Sequence, residues 1–263
     1  ADRENLIIEV NHPVADISTE WIGPNVFDDN SAAWLFVAGA HRYACVKDSL
    51  CTQDENCGAD MAREEHSVFQ VFHEEITQHY SGNVNALSIH GFGGDDYDTH
   101  INVNGVFDEV GIAISNGDGL DGNFLEPSLL THMLVGRFNS EILGETDNYE
   151  QPAITVYDAL SSNYINLDSL GATLNPQGTY TNTNFSDLDS RWIHIEADRE
   201  IRRSNYEEEE GFRNEYYAAI QDAVSDYYNS TDLDDYGCDN GNYDTGACNL
   251  VYCDGASNSG MIY

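Results

Sequence analysis

Short apolar runs separated by polar turns constrain this chain more tightly than any other feature. Leu6-Ile7-Ile8-Glu9-Val10, Trp34 to Ala40, Val84 to Ile89, Val110 to Ser115, Ala153 to Tyr157 and Trp192 to Glu196 are each of strand length. The run from Trp34 is apolar throughout, which is what a strand covered on both faces requires. Between the runs lie segments of helical period. Met61 to His79 carries Phe69, Phe72 and Ile76, and Pro127 to Phe138 has its proline near the first turn. Glu207 to Tyr228 has acidic residues at its start and an apolar stripe of Phe212, Tyr216, Ala219, Ile220 and Val224. The alternation implies an α/β fold, with a mostly parallel or mixed central sheet and helices on both faces.

A chain of 263 residues can bury one substantial core, and no Gly/Ser-rich or Pro-rich linker divides it. The expectation is a single α/β domain over residues 1–263, with 228–263 as a Cys/Gly/Asp-rich extension. Weaker patterning marks the loops: the stretch with His12-Pro13 and Gly23-Pro24, residues 44–58, and residues 161–189 as a long loop or irregular hairpin.

Charge narrows the partners. Asp and Glu number 47 against 10 Lys and Arg, a formal net charge of −37. Such a surface repels phosphate backbones and anionic lipid, so nucleic acid is excluded as a partner. No apolar run approaches the roughly 20 residues that a membrane span needs. The aromatic and β-branched content argues for a folded core, and self-repulsion of this size suits a saline, halophilic setting where salt screens it. Calcium binding by some of the carboxylates is a second reading, most plainly at Asp232 to Asp244 and Asn116 to Asn123, although neither has EF-hand spacing.

Six cysteines fall in two groups, Cys45, Cys51 and Cys57, then Cys238, Cys248 and Cys253. Their even number and loop-like surroundings predict disulfide-stapled loops and a secreted, extracellular protein. A first residue of Ala rather than Met agrees with a removed signal peptide.

Chemistry is carried by the histidines. His41 follows the Trp34 run, His90 follows Ala86-Leu87-Ser88-Ile89, and His66 opens the helical segment between them. Imidazoles at the ends of buried strands are where an open α/β sheet presents ligands to a crevice. A hydrolytic Zn²⁺ takes three protein ligands and keeps one position for water, while a nearby glutamate accepts the proton. The ligands read from the sequence are His41, His90 and a residue at the helix start, either His66 or Glu65. Glu196 is the candidate base. Arg202 and Arg42 are the candidate clamps for a substrate carboxylate, since a guanidinium grips that group in bidentate fashion. His73-Glu74-Glu75-Ile76-Thr77 begins like the helical zinc motif but ends in threonine, so His73 and His79 are read as helix-surface residues. No G-x-S-x-G elbow is present to favour a serine nucleophile.

Ala38-Gly39-Ala40-His41-Arg42, His66-Ser67-Val68-Phe69, Ser88-Ile89-His90-Gly91-Phe92 and His194-Ile195-Glu196 with Arg202 resemble, in order and spacing, the zinc-dependent N-acetylmuramoyl-L-alanine amidase and carboxypeptidase-like hydrolases. The resemblance covers roughly residues 34 to 225. It departs from the carboxypeptidase H-x-x-E, because Ala44 occupies the acidic position. The resemblance implies a three-layer α/β fold and a zinc-dependent hydrolase cleaving an amide bond in a peptide, cell-wall peptide or N-acyl amino acid. His41, His66 and His90 would hold the metal, the helix-borne ligand being open among His66, Glu65 and Glu64, and Glu196 would act as catalytic base. The alternative is a secreted structural, assembly or binding protein on the same fold, homo-oligomeric or calcium-binding, without catalysis.

Overall fold

Alternation of side chains along a strand decides which residues face which layer, and here it sorts the chain into an oily face and a polar one. The structure, a computed structural model, describes residues 4–44, 59–93, 100–103, 106–117, 127–142, 151–157, 170–185, 191–202 and 212–229. Seven strands form one sheet: β1 (Glu4–Val10), β2 (Ala32–Val37), β3 (Asn85–Phe92), β4 (His100–Val103), β5 (Val106–Ser115), β6 (Gln151–Thr155) and β7 (Trp192–Asp198). Among the described residues six helices accompany them: α1 (Thr19–Asp29), α2 (Val68–His79), α3 (Leu129–Ile142), α4 (Pro176–Asn184), the single turn α5 (Arg199–Arg202) and α6 (Arg213–Asn229).

The spatial order is β2-β1-β3-β7-β5, with β4 and β6 both paired to β5. Strands β2, β1, β3 and β7 run parallel. Strand β5 is antiparallel to β7, and β6 follows β5 in parallel, so the sheet is mixed.

Leu6, Ile8, Leu87, Ile89, Ile112, Ile114, Ile193 and Ile195 project to one side and are fully buried against α1, α3 and α6. Each such side chain contributes about 1.5–3 kcal/mol on leaving water. Helix α1 approaches closely because Gly23 has no Cβ; an added one would lie 2.2 Å from Val10 Cγ2. The opposite side carries Ile7, Ala86 and Trp192, packed with Ile76 of α2 and Val84. The same face carries polar Glu9, Ser88, His90 and His194, all buried. Helices therefore cover both faces of the sheet.

Caps and buried polar pairs fix the polar-side helices. Ser67 Oγ accepts from Gln70 N–H to start α2, and Asn175 Oδ1 accepts from Gln177 N–H ahead of Pro176 at the start of α4. His73, expected on a helix surface, is instead fully buried, with Nδ1 2.7 Å from Glu9 Oε1 and Nε2 2.9 Å from Thr181 Oγ1. A buried carboxylate needs such partners, and the Trp192 indole N–H supplies another at Glu9 Oε2.

Other expectations change with the strand order. The Trp34 run becomes the edge strand β2, with Trp34 and Val37 about two-fifths exposed, at 41% and 42%. Helix α1 fills the stretch taken as loop around Gly23-Pro24, since its Ile22 and Val26 pack on β1, and α4 occupies part of residues 161–189. All six cysteines, residues 230–263 and residues 118–123 lie outside the described residues, and with them the disulfide staples and most of the suggested calcium loops. No helix among the described residues is long and apolar enough to cross a membrane.

Candidate metal centre

The chain leaves β1 for β2 on one side and returns through α2 to β3 on the other. Between the carboxyl ends of β1 and β3 the connections diverge, which opens a crevice of the kind where α/β sheets bind ligands. Beyond β1 the backbone curls at once: the His12 carbonyl accepts from Ala15 and Asp16 N–H, so His12 and Asp16 face each other across one turn. His90 closes the crevice from β3.

The three side chains converge. Asp16 Oδ2 lies 3.5 Å from His12 Nδ1 and 3.2 Å from His90 Nδ1. All three residues are buried. A second group shares His90 and adds His194 and Glu196 from β7, with His194 Nε2 3.3 Å from Glu196 Oε1. In register, His90 stands directly beside Glu196 and Ser88 beside His194. Among the described residues no hydrogen-bond partner meets His194 Nδ1 or Glu196 Oε2.

Around this cluster the supports are specific. His12 Nε2 donates to Asp60 Oδ1 at 2.7 Å, and Arg42 Nη2 donates to Asp60 Oδ2 at 3.2 Å. Arg42 Nη1 also stands 3.5 Å from His12 Nδ1. Trp192 lies flat beneath His194, with ring centroids 5.6 Å apart and planes 16° from parallel. Gly178 makes room for that indole, since a Cβ there would sit 2.6 Å from Trp192 Cε3.

Electrostatics follow the geometry. Burial pushes the Asp16 carboxyl up, but the neighbouring His12 and His90 rings outweigh it and hold it below the usual carboxylate range. Asp60 behaves alike, with burial opposed and exceeded by His12 and then Arg42. Burial lowers the His12 pKa, yet the Asp16 and Asp60 carboxylates reverse the direction and leave it raised. His90 goes the other way: burial depresses it, the neighbouring His194 and His12 add to that, and Asp16 recovers only part.

The residues expected from the sequence divide. His90 and Glu196 stand in the cluster. His41 does not, for a topological reason: it follows β2, and β1 lies between β2 and β3. Two strand spacings amount to about 10 Å, and His41 Nδ1 instead accepts from Tyr43 N–H at 3.1 Å. His66 is on the surface, its side chain 85% exposed beside a similarly outlying Glu65, and Glu64 accepts from the His66 N–H there. Arg42 borders the cluster through Asp60. Arg202 is buried, and each of its three guanidinium nitrogens donates to a backbone carbonyl, of Ala197, Ile17 and Phe92.

His12, Asp16 and Asp60 were missed. His12-x-x-x-Asp16 directly after the first strand was the available signal, but its meaning depends on β1 lying beside β3. Comparison with family models, curated proteins and solved structures finds no match to this chain.

Proposed function

We propose that His12, Asp16 and His90 hold a Zn²⁺ ion and that the chain is a metal-dependent hydrolase of an amide bond, with Glu196 as its general base. The spacing of the donor atoms carries this reading. Ligands ~2.0–2.1 Å from a tetrahedral ion stand about 3.3 Å from one another, and Asp16 Oδ2 stands 3.5 and 3.2 Å from the two imidazole nitrogens. Two imidazoles and one carboxylate suit zinc, whereas calcium prefers six to eight oxygen ligands. The Asp60 carboxylate behind His12 is the outer partner that a metal-binding histidine usually has.

A Zn²⁺ ion here would polarise a substrate carbonyl and make water more acidic. Glu196 would accept the proton from that water and return it to the leaving amine. His194 orients the glutamate through the contact at Oε1, which leaves Oε2 for the proton. Arg42, partly exposed at the rim, is the group that would meet a substrate carboxylate, as in a peptide or N-acyl amino acid. The resemblance to the amidase and carboxypeptidase-like hydrolases agrees with this chemistry, although the ligand set moves from His41 and His66 to His12 and Asp16.

The test is zinc content and amine release from a panel of N-acyl amino acids and cell-wall peptides, before and after chelation. Glu196→Gln is expected to keep its zinc and lose activity by about 10²–10⁴-fold. Wild-type turnover in Glu196→Gln would overturn the base assignment, and a chain that takes up no zinc would overturn the metal.

A further inference from the structure

A file of polar side chains leads from His90 away from the crevice to helix α2, and fixed neighbours set the orientation of each one. Gln70, Gln177, Asn11 and Ser88 are all buried, between 0% and 2% exposed. At the far end Gln70 Nε2 donates to Glu74 Oε1 at 2.8 Å and to the Pro176 carbonyl at 3.3 Å. Both partners only accept, so the Gln70 amide cannot be reversed. Its oxygen accepts from Gln177 Nε2 at 2.8 Å, and that nitrogen also meets the Met61 carbonyl at 3.2 Å. Gln177 therefore turns its oxygen to Asn11, whose Nδ2 donates at 3.0 Å. Asn11 Oδ1 is left to accept from Ser88 Oγ, again at 3.0 Å.

The last step follows from counting hydrogens. A serine hydroxyl has one, and Asn11 receives it. Ser88 Oγ, 3.1 Å from His90 Nε2, can then only accept, so His90 carries its proton on Nε2. In the neutral ring that is the only proton, and Nδ1 presents a bare lone pair to Asp16 Oδ2 at 3.2 Å. Two acceptors so close repel unless a cation, either a metal ion or the second proton of an imidazolium, lies between them. The reversed file, with Asn11 donating to Ser88, would place a proton on Nδ1 and make the His90–Asp16 contact an ordinary hydrogen bond that needs no ion.

We infer that Ser88, Asn11, Gln177 and Gln70, anchored on Glu74 and on the Pro176 and Met61 carbonyls, are positioning residues that fix the His90 tautomer and hold Nδ1 open for the metal. The purpose rests on the zinc reading above; the tautomer itself does not. Outer partners of a metal-binding histidine typically alter metal affinity 10–100-fold, and here the partner is a relay reaching to a second helix.

Long-range ¹H–¹⁵N correlation spectra of the metal-free, full-length chain in mildly alkaline buffer read the tautomer directly, with His90→Gln for assignment. The expected result is a His90 protonated on Nε2. Gln177→Met, which keeps the side-chain length and removes both amide ends, is expected to populate the Nδ1–H form and to weaken Zn²⁺ binding by about 10–100-fold. Ser88→Ala serves as the second disruption, and Ser88→Thr, which keeps the hydroxyl, is expected to retain the wild-type tautomer. An Nδ1–H tautomer in the wild-type chain overturns the inference, as does a Gln177→Met chain with unchanged tautomer and unchanged Zn²⁺ affinity. Zinc uptake is read separately: an Nε2–H tautomer without zinc binding overturns the metal reading and leaves the orientation of the relay standing.

Discussion

His12 and Asp60 lie 48 positions apart in sequence and 2.7 Å apart at Nε2 and Oδ1. The carboxylate accepts a hydrogen bond from one ring nitrogen, Nε2, and the other, Nδ1, faces Asp16. Asp60 is itself held by Arg42 and by the Ala62 N–H, so the ring has little freedom to turn. Asp60→Asn keeps the shape and removes the charge. We expect it to fold as the wild type and to bind Zn²⁺ about 10–100-fold more weakly, measured by competition with a chromophoric chelator. Equal affinity would separate Asp60 from the metal.

Arg202 ties the crevice together. Its guanidinium meets the carbonyls of Ile17, just beyond Asp16, of Phe92, just beyond His90, and of Ala197, just beyond Glu196. Gly91 permits this crossing, because a Cβ there would lie 1.9 Å from Arg202 Cζ. Arg202→Met should lower stability by about 3 kcal/mol or more, since three carbonyls, those of Ala197 and Phe92 at buried bonds, lose a charged donor together. Gly91→Ala should act in the same direction. Urea unfolding at high salt checks both, and a loss below about 1 kcal/mol for Arg202→Met, the worth of a single ordinary hydrogen bond, would contradict the clamp.

Glu141 on α3 shares Arg137 with Asp222 and Asp226 on α6. Burial raises its pKa, Asp222 raises it further, and Arg137 offsets only part. A carboxyl that holds its proton more tightly when folded contributes stability that is complete below the unfolded pKa and lost as pH rises through the folded one. From about pH 4 upward, the ionised group therefore weakens the α3–α6 contact. Glu141→Gln should be neutral in acid and gain stability toward pH 7, by no more than about 0.5 kcal/mol once solvent screening is allowed for. Matched denaturation curves at the two pH values decide it, and a gain confined to acid pH would reverse the sign.

With a formal net charge of −37 the folded chain repels itself. The screening length falls from about 10 Å at 0.1 M salt to about 3 Å at 1 M. Melting temperature should rise by about 5 °C or more across that range, with NaCl and KCl acting alike and sucrose at equal osmolality acting less. A flat profile would remove the argument for a saline setting.

Much of the architecture was legible because periodicity is local. Leu6 to Val10, Val84 to Ile89 and Trp192 to Glu196 announce strands, and Tyr216, Ile220 and Val224 announce the helix that covers them. The site was half legible. His90 and Glu196 are neighbours because β3 and β7 pair, and both end apolar runs, so each was visible by itself. His41 was misplaced because the two strands flanking β1 look like neighbours in sequence, and nothing local says that β1 inserts between them. The same insertion turns the His12-Pro13 stretch, read from the sequence only as loop, into the crevice. His73 shows the converse, since a histidine among acidic helix residues gives no hint that Glu9, 64 positions away, receives its ring.

Zn²⁺ affinity in His12→Ala beside His41→Ala, on full-length protein purified without a His-tag in high salt, distinguishes the two histidines as ligands. His12→Ala is expected to lose stoichiometric zinc while His41→Ala binds it as the wild type does. Zinc retained in His12→Ala, or lost in His41→Ala alone, would contradict the assignment of His12 to the metal.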